Sequence, residues 1–168
     1  MLGVYSFAVF VADGFLQIFY VFRTNINPII TKLFYNKPRN VLQRVIKKSI
    51  QKFYKIFLVF GALIAFIYPI TLYLFNIDNY ISLNFTVFYI LLSGILIASG
   101  FIPYQFIFNQ VGKPKSQSNF LVKIFLFSLI LNLIFIPFLG IIGAAISVFI
   151  TNVFQMLYLR NFIKHKLI

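Results

Sequence analysis

Five apolar runs, at residues 4–22, 57–75, 85–108, 120–139 and 141–159, divide this chain, and its cations are confined to every second gap between them. The gap at 23–55 holds nine Lys and Arg residues, that at 76–80 none, that at 109–119 two, the link at 137–140 none, and the segment from Arg160 onward three. Only Lys123 falls elsewhere, just inside the fourth run. A run of about 20 apolar residues, rising about 1.5 Å each, crosses the roughly 30 Å of bilayer hydrocarbon as a helix. In hydrocarbon every backbone N–H and C=O must be paired within the protein, so such runs fold as helices. Cationic connectors stay in the cytoplasm, so their alternation assigns a side to every gap. The sequence therefore predicts an all-α, polytopic membrane helix bundle of about five transmembrane helices. It forms a single domain over 1–168, with the N-terminus outside and the C-terminus cytoplasmic.

Hydrophobic residues make up 61% of the chain and charged ones 10%, against about 25% charged in ordinary soluble proteins. That balance excludes a cytosolic enzyme, which needs far more polar surface to stay dispersed. The lack of cysteine excludes disulfides, thiolate metal sites and a cysteine nucleophile. With one histidine, His165, and two acids, neither a protein-built metal centre nor a cofactor is expected. A net charge of +13 would suit nucleic acid, but these cations lie between membrane-crossing runs. The expected partners are anionic membrane lipids, not nucleic acid. The first run is no signal peptide, because no basic segment precedes it, it contains Asp13, and the basic cluster follows it.

The fourth and fifth runs form one nearly continuous apolar stretch, too long for a single crossing. Pro137 and Gly140 are placed to break it into a tight helical hairpin. In the basic link, 24–40 contains Pro28 and Pro38 and reads as irregular or partly helical. Residues 41–55 are amphipathic. Leu42, Val45, Ile46, Ser49, Ile50 and Phe53 share one face, and Arg44, Lys47, Lys48, Gln51, Lys52 and Lys55 the other. This helix is expected to lie in the interface as an anchor and to lead into the second run. Its alternative role is a basic mouth that gathers pyrophosphate-bearing lipids. Ala8/Ala12, Gly61/Ala65, Gly94/Ala98 and Gly140/Ala144 recur at the spacing that lets helix backbones approach closely. Pro69 and Pro103 fall inside the second and third runs, where each frees a carbonyl and permits a kink.

Asp13 is the sharpest polar signal. A carboxylate near the middle of a spanning helix costs at least ~2.5–3.5 kcal/mol, so it faces protein or a watery cavity, or is protonated. Ser6, Asp13, Gln17 and Tyr20 share one helical face. That stripe reads as a coupling-ion or proton site, or as a hydrogen-bonded interhelical contact. A second stripe runs along the fifth span through Ala144, Ser147, Thr151, Gln155 and Tyr158, with Asn152 to one side; the fourth contributes Lys123, Ser128 and Asn132. Ser and Thr are expected to bond back to their own helix. Asn132, Asn152 and Gln155 read as interhelical links, with ligand contact as the alternative. Lys123 is placed to snorkel to the interface or to meet a phosphate, and Arg23 closes the first helix at the cytoplasmic edge. The candidate substrate or ion pathway is therefore Asp13, Gln17, Arg23, Lys123, Asn132, Asn152 and Gln155. With no Ser/His/Asp set, glycine-rich phosphate loop or paired carboxylates, enzymatic acid–base chemistry is not expected.

Three segments together carry a family resemblance: Gly3-Val-Tyr-Ser-Phe-Ala8, Asn109-Gln-Val-Gly-Lys-Pro-Lys115, and the stretch from Asn132 through Pro137 and Gly140 to Gly143-Ala-Ala145. Their order and spacing resemble the C-terminal half of polysaccharide (O-antigen) flippases of the Wzx type. These belong to the superfamily of the MATE exporters and lipid II flippases. The resemblance runs nearly end to end and implies one lobe of a two-lobe, MATE-like transporter. It also implies translocation of a lipid-pyrophosphate-linked oligosaccharide across the bacterial inner membrane, for O-antigen or capsule, through a cationic central cavity. The first lobe and the opening helix of the second have no counterpart here. The resemblance therefore implies a partner: a missing N-terminal lobe supplied by another polypeptide, or a homo-oligomer. Asp13, Gln17 and Lys123 are chosen from burial cost and charge and match no motif of the family.

Overall fold

The computed structural model describes residues 2–74 and 81–165. The link at 76–80, which holds Asp78 but no Lys or Arg, the last residue of the second run and Lys166 lie outside the described residues. The fold is all-α: α1 (Leu2–Asn36), α2 (Arg39–Leu74), α3 (Ile81–Ala98), a 3-10 turn (Ile102–Tyr104), the short α4 (Ile107–Gln110) and α5 (Pro114–His165). Three of these, α1, α2 and α5, are long and apolar enough to cross a membrane. The other two expected spans are carried differently. The third run is represented by α3, shorter at 18 residues. The fourth and fifth runs both lie in α5, which is interrupted at Gly140 (φ 56°, ψ −127°).

That interruption is a reversal. Phe127 stacks on Phe154 at 4.3 Å and Phe120 meets Tyr158 at 5.1 Å. Positions thus climb on one arm as they descend on the other, so 114–139 and 141–165 form an antiparallel hairpin. Gly140 takes the left-handed backbone conformation open to glycine. At Gly143 a β-carbon would run into the Phe135 carbonyl, so the arms close backbone to backbone. Pro137, just before the turn, lacks the N–H that a continuing helix would need.

The bundle is assembled on α3, which packs against α1, α2 and α5. Val87, Phe88, Leu91, Leu92, Ile95 and Ala98 form its broad buried face, while Thr86, Tyr89 and Ile97 on the other side are exposed. Gly94 lets the second arm of α5 approach: a β-carbon there would lie 2.9 Å from Phe149 Cα. Helices α1 and α2 run antiparallel through an aromatic seam, with Phe7 6.1 Å from Tyr68, Phe19 stacked on Phe57 at 3.6 Å, and Phe22 5.5 Å from Phe53.

Two tyrosine hydroxyls settle backbone groups that hydrocarbon cannot. Pro69 leaves the Ala65 carbonyl without its helical donor, and Tyr89 of α3 donates to that carbonyl at 3.1 Å. At the end of α3, the orphaned Ile97 carbonyl accepts the Tyr54 hydroxyl at 2.8 Å.

Three local expectations are settled or corrected. Of the two forms expected for 24–40 the segment takes the helical one, broken only at 37–38, because α1 continues through Pro28 to Asn36 and α2 begins at Arg39. Ile30 is buried and Ile26, Leu33 and Phe34 pack against the core, and this apolar face outweighs one lost backbone bond. The amphipathic segment does not lie flat at an interface. It is the first half of an unbroken α2 of 36 residues, and a helix that continues into a spanning run cannot also turn across it. Its faces largely follow the pattern: Leu42, Ile46 and Phe53 are buried and Arg44, Lys47, Lys48 and Lys52 are exposed, but Val45, expected on the apolar face, is exposed as well. Finally, the third run does not stay helical to residue 108. Pro103 has no N–H and its ring crowds the Ser99 carbonyl, so α3 stops at Ala98 and the chain passes into the 3-10 turn.

Candidate functional site

The helices change from uncharged to cationic at a common level. Tyr54 of α2 bonds the Ile97 carbonyl and, at 3.4 Å, the Met156 sulfur, so residues 54, 97 and 156 stand side by side. Phe53 pairs with Phe22, which brings the end of the first run to the same height. Above that level, on one side, lie Arg23, Lys52, Arg160 and the 99–113 segment, and Lys55 stands at the level itself, one residue past Tyr54. Below it, Asp13 is the only charged residue in α1, and 56–74, 81–98 and 141–159 carry no charge.

The seven candidate residues do not converge on one site. Asp13 and Gln17 are exposed on α1, opposite the buried stripe of Ala8, Ala12, Phe15 and Phe19. Ser6 and Phe10 share that outward face, Phe10 at 75% exposure. The α1 stripe therefore points away from this chain's own core, and among the described residues Asp13 forms no ion pair.

Arg23 is set into the protein. Its guanidinium lies between two rings, 4.5 Å from the Tyr20 centroid and 4.6 Å from that of Phe106. This cation–π clamp ties α1 to the turn before α4. Lys123 is exposed, and its amine stands 5.5 Å from the Tyr158 ring. It lines a cleft of about 550 Å3 with Lys113, Ser116, Asn119, Asn161 and Phe162. There Lys113 sits 5.9 Å over Phe162, so both ammonium groups rest on aromatic faces. Asn132 is half-buried and reaches only Ser128 of its own arm, at 3.5 Å. Asn152 and Gln155 are half-buried without side-chain hydrogen bonds to described residues. Ser147 and Thr151 are buried and donate to the Gly143 and Ser147 carbonyls at 2.9 and 2.7 Å. Among the described residues no group of His, Cys, Asp and Glu gathers to hold a metal.

Several polar contacts lie outside the candidate set. Asn84 of α3 is fully buried and accepts from the Tyr68 hydroxyl, while its amide nitrogen has no partner among the described residues. Thr31 bonds Gln110 across to the cationic turn, and Gln117 donates to the Gln105 carbonyl at 3.1 Å. Burial pushes the Tyr104 phenol in that turn up to about 12, and a hydrogen bond with Ser49 partly opposes the shift. Asn84 opens the third apolar run, and a lone amide beside such a run is the signal by which it could have been found. Gln110 and Gln117 carry no such signal, because their partners come from tertiary placement. No family model, curated protein or solved structure matches this chain.

Proposed function

We propose that this chain is one lobe of a two-lobe translocator in a bacterial inner membrane. It would be a non-enzymatic flippase component that moves lipid-pyrophosphate-linked oligosaccharide units for O-antigen or capsule. In this reading it crosses the membrane five times, α3 and both arms of α5 included, with its N-terminus outside and its cationic end in the cytoplasm. The outward Asp13 carries the proposal. Facing lipid, that carboxylate would cost at least ~2.5–3.5 kcal/mol, and α1 already uses its opposite face against the core. A second body that shares a watery cavity with α1 removes the cost. The second lobe of a transporter, from another polypeptide or a second copy of this chain, is such a body. Asp13 and Gln17 would then line the pathway and bind a coupling ion or proton.

The resemblance of the three segments to Wzx-type flippases supplies the substrate class. The 132–145 segment supports the fold of that family more than its substrate, because the hairpin itself requires Gly140 and Gly143.

The test is surface glycan display in the producing cell. Deletion is expected to abolish display and to accumulate the lipid-linked intermediate on the cytoplasmic face. Asp13→Asn is expected to reduce display about tenfold or more at equal membrane abundance. Unchanged glycan on deletion would overturn the proposal and leave a membrane-assembly subunit that transports nothing.

A further inference from the structure

Between the cationic half of α2 and the end of α5 runs a groove of about 640 Å3. Ile50, Tyr54, Phe101 and Met156 give it an apolar floor, and Lys47, Arg160 and Lys164 stand along its rim. Its depth is fixed by Tyr54, whose hydroxyl joins the Met156 sulfur and the Ile97 carbonyl. From that level 56–74 of α2 is uncharged in one direction, while Lys52, Lys48 and Lys47 follow in the other; on α5, 141–159 is uncharged and Arg160 comes next. The floor therefore lies at the edge of the hydrocarbon and the rim in the headgroup layer.

Among the described residues the rim cations meet no carboxylate. The chain holds only two acids. Asp13 lies on the outward face of α1, on the hydrocarbon side of this level, and Asp78 lies outside the described residues. Three cations gathered on one groove with no counter-charge among the described residues suit an anion from outside, and the apolar floor beneath them suits one that brings a hydrocarbon tail.

We propose that this groove is a binding site for an anionic diacyl phospholipid of the adjoining leaflet. Its phosphate is held among Lys47, Arg160 and Lys164, and one acyl chain lies along Ile50, Tyr54, Phe101 and Met156. The site needs only that the long apolar helices lie in a membrane, so it stands apart from the transport reading. The bound lipid joins α2 to α5 where no ion pair among the described residues does.

Native mass spectrometry of the full chain, released from detergent with added dioleoyl phosphatidylglycerol or dioleoyl phosphatidylcholine, tests it. The wild type is expected to retain the anionic lipid about tenfold more tightly than the zwitterionic one. Equal retention overturns the proposal without any variant. The combined K47Q, R160Q and K164Q variant is expected to lose that preference, whereas a K32Q, K37Q and K115Q variant with the same net charge keeps it within about twofold. Equal loss in both assigns the effect to diffuse charge and sinks the site. Competition by glycerol phosphate at the concentration of intact lipid would make it a phosphate site without a tail groove. Displacement by a polyprenyl pyrophosphate at lower concentration would give the groove to that lipid instead. Either result overturns the proposal.

Discussion

The polar stripe of α1 faces away from the core, whereas that of the second arm of α5 faces into it. The two look alike in sequence: each recurs at helical spacing on an otherwise apolar helix. Their chemistry separates them. Ser147 and Thr151 can be buried because each hydroxyl donates to a carbonyl one turn back in its own helix. Asp13 has no such partner within α1, and a carboxylate cannot be buried unpaired. Small hydroxyls satisfied locally go to the packed interface with α3, and the group that needs an external partner is left on the outside.

The strongest way to break this contrast is to exchange the chemistries. Ser147→Asp places a carboxylate at a fully buried position and is expected to destabilise the fold by about 3–5 kcal/mol. Asp13→Ser in the isolated chain is expected to leave stability unchanged or raised, measured by reversible unfolding in mixed micelles. A stable Ser147→Asp protein would show that the second arm is not packed as described. Because the chain has no cysteine, the contrast can also be read directly. Asp13→Cys and Gln17→Cys are expected to react with a small maleimide about tenfold or more faster than Ser147→Cys and Thr151→Cys.

Next in size are the close approaches that turn the α5 stripe inward. Gly94→Ala puts a methyl 2.9 Å from Phe149 Cα. Since backbone cannot yield as a side chain can, the cost is expected to be about 1–3 kcal/mol. Gly61→Ala meets only the tip of the Leu96 side chain and is expected to cost less. Equal costs in the same unfolding titration would mean that the α3–α5 backbone contact is no more rigid than the side-chain contact between α2 and α3.

How much of this was legible in the sequence follows the same division. The apolar runs, the turn at Pro137–Gly140 and the faces of 41–55 were readable because each depends on local chemistry: burial period, a proline without a donor, a glycine with positive φ. Back-bonding of Ser147 and Thr151 was readable for the same reason. What periodicity could not supply was direction. It grouped Asp13 with Gln17 and Ser147 with Thr151, yet which stripe meets α3 is decided by Gly94 and Phe149, far apart in the chain. The helical course of 24–36 was hidden because its stability comes from tertiary packing, including the contact of Thr31 with Gln110 in the turn after α3, which outweighs the local signal of Pro28. The tyrosines that serve Ala65 and Ile97 were invisible as such, although Pro69 announced that a carbonyl near Ala65 would need a donor.

Those tyrosines give a smaller effect. Tyr89→Phe removes the donor to the carbonyl freed by Pro69 and keeps the ring. Interhelical hydrogen bonds in membranes average about 0.6 kcal/mol and reach about 1.7, and this one is expected near the upper value because its acceptor has no helical donor. In the double variant with Pro69→Ala, which restores that donor, the loss is expected to shrink by half or more. Additive effects would show that Tyr89 and Pro69 act independently.

The smallest effect is the most diagnostic of the contrast. Ser147→Ala deletes a buried hydroxyl, which in most interiors would strand its partner and cost about 1–3 kcal/mol. Here the acceptor is the Gly143 carbonyl, one turn back in the same helix, where it retains its ordinary backbone donor. Nothing is stranded, and the methyl fills nearly the same space. The expected change is within about 0.5 kcal/mol, on the stabilising side if back-bonding strains the helix. A loss above about 1.5 kcal/mol would mean that the hydroxyl bonds across to another helix. The α5 stripe would then be a polar interface of the same kind sought for Asp13, and the distinction between the two faces would fall.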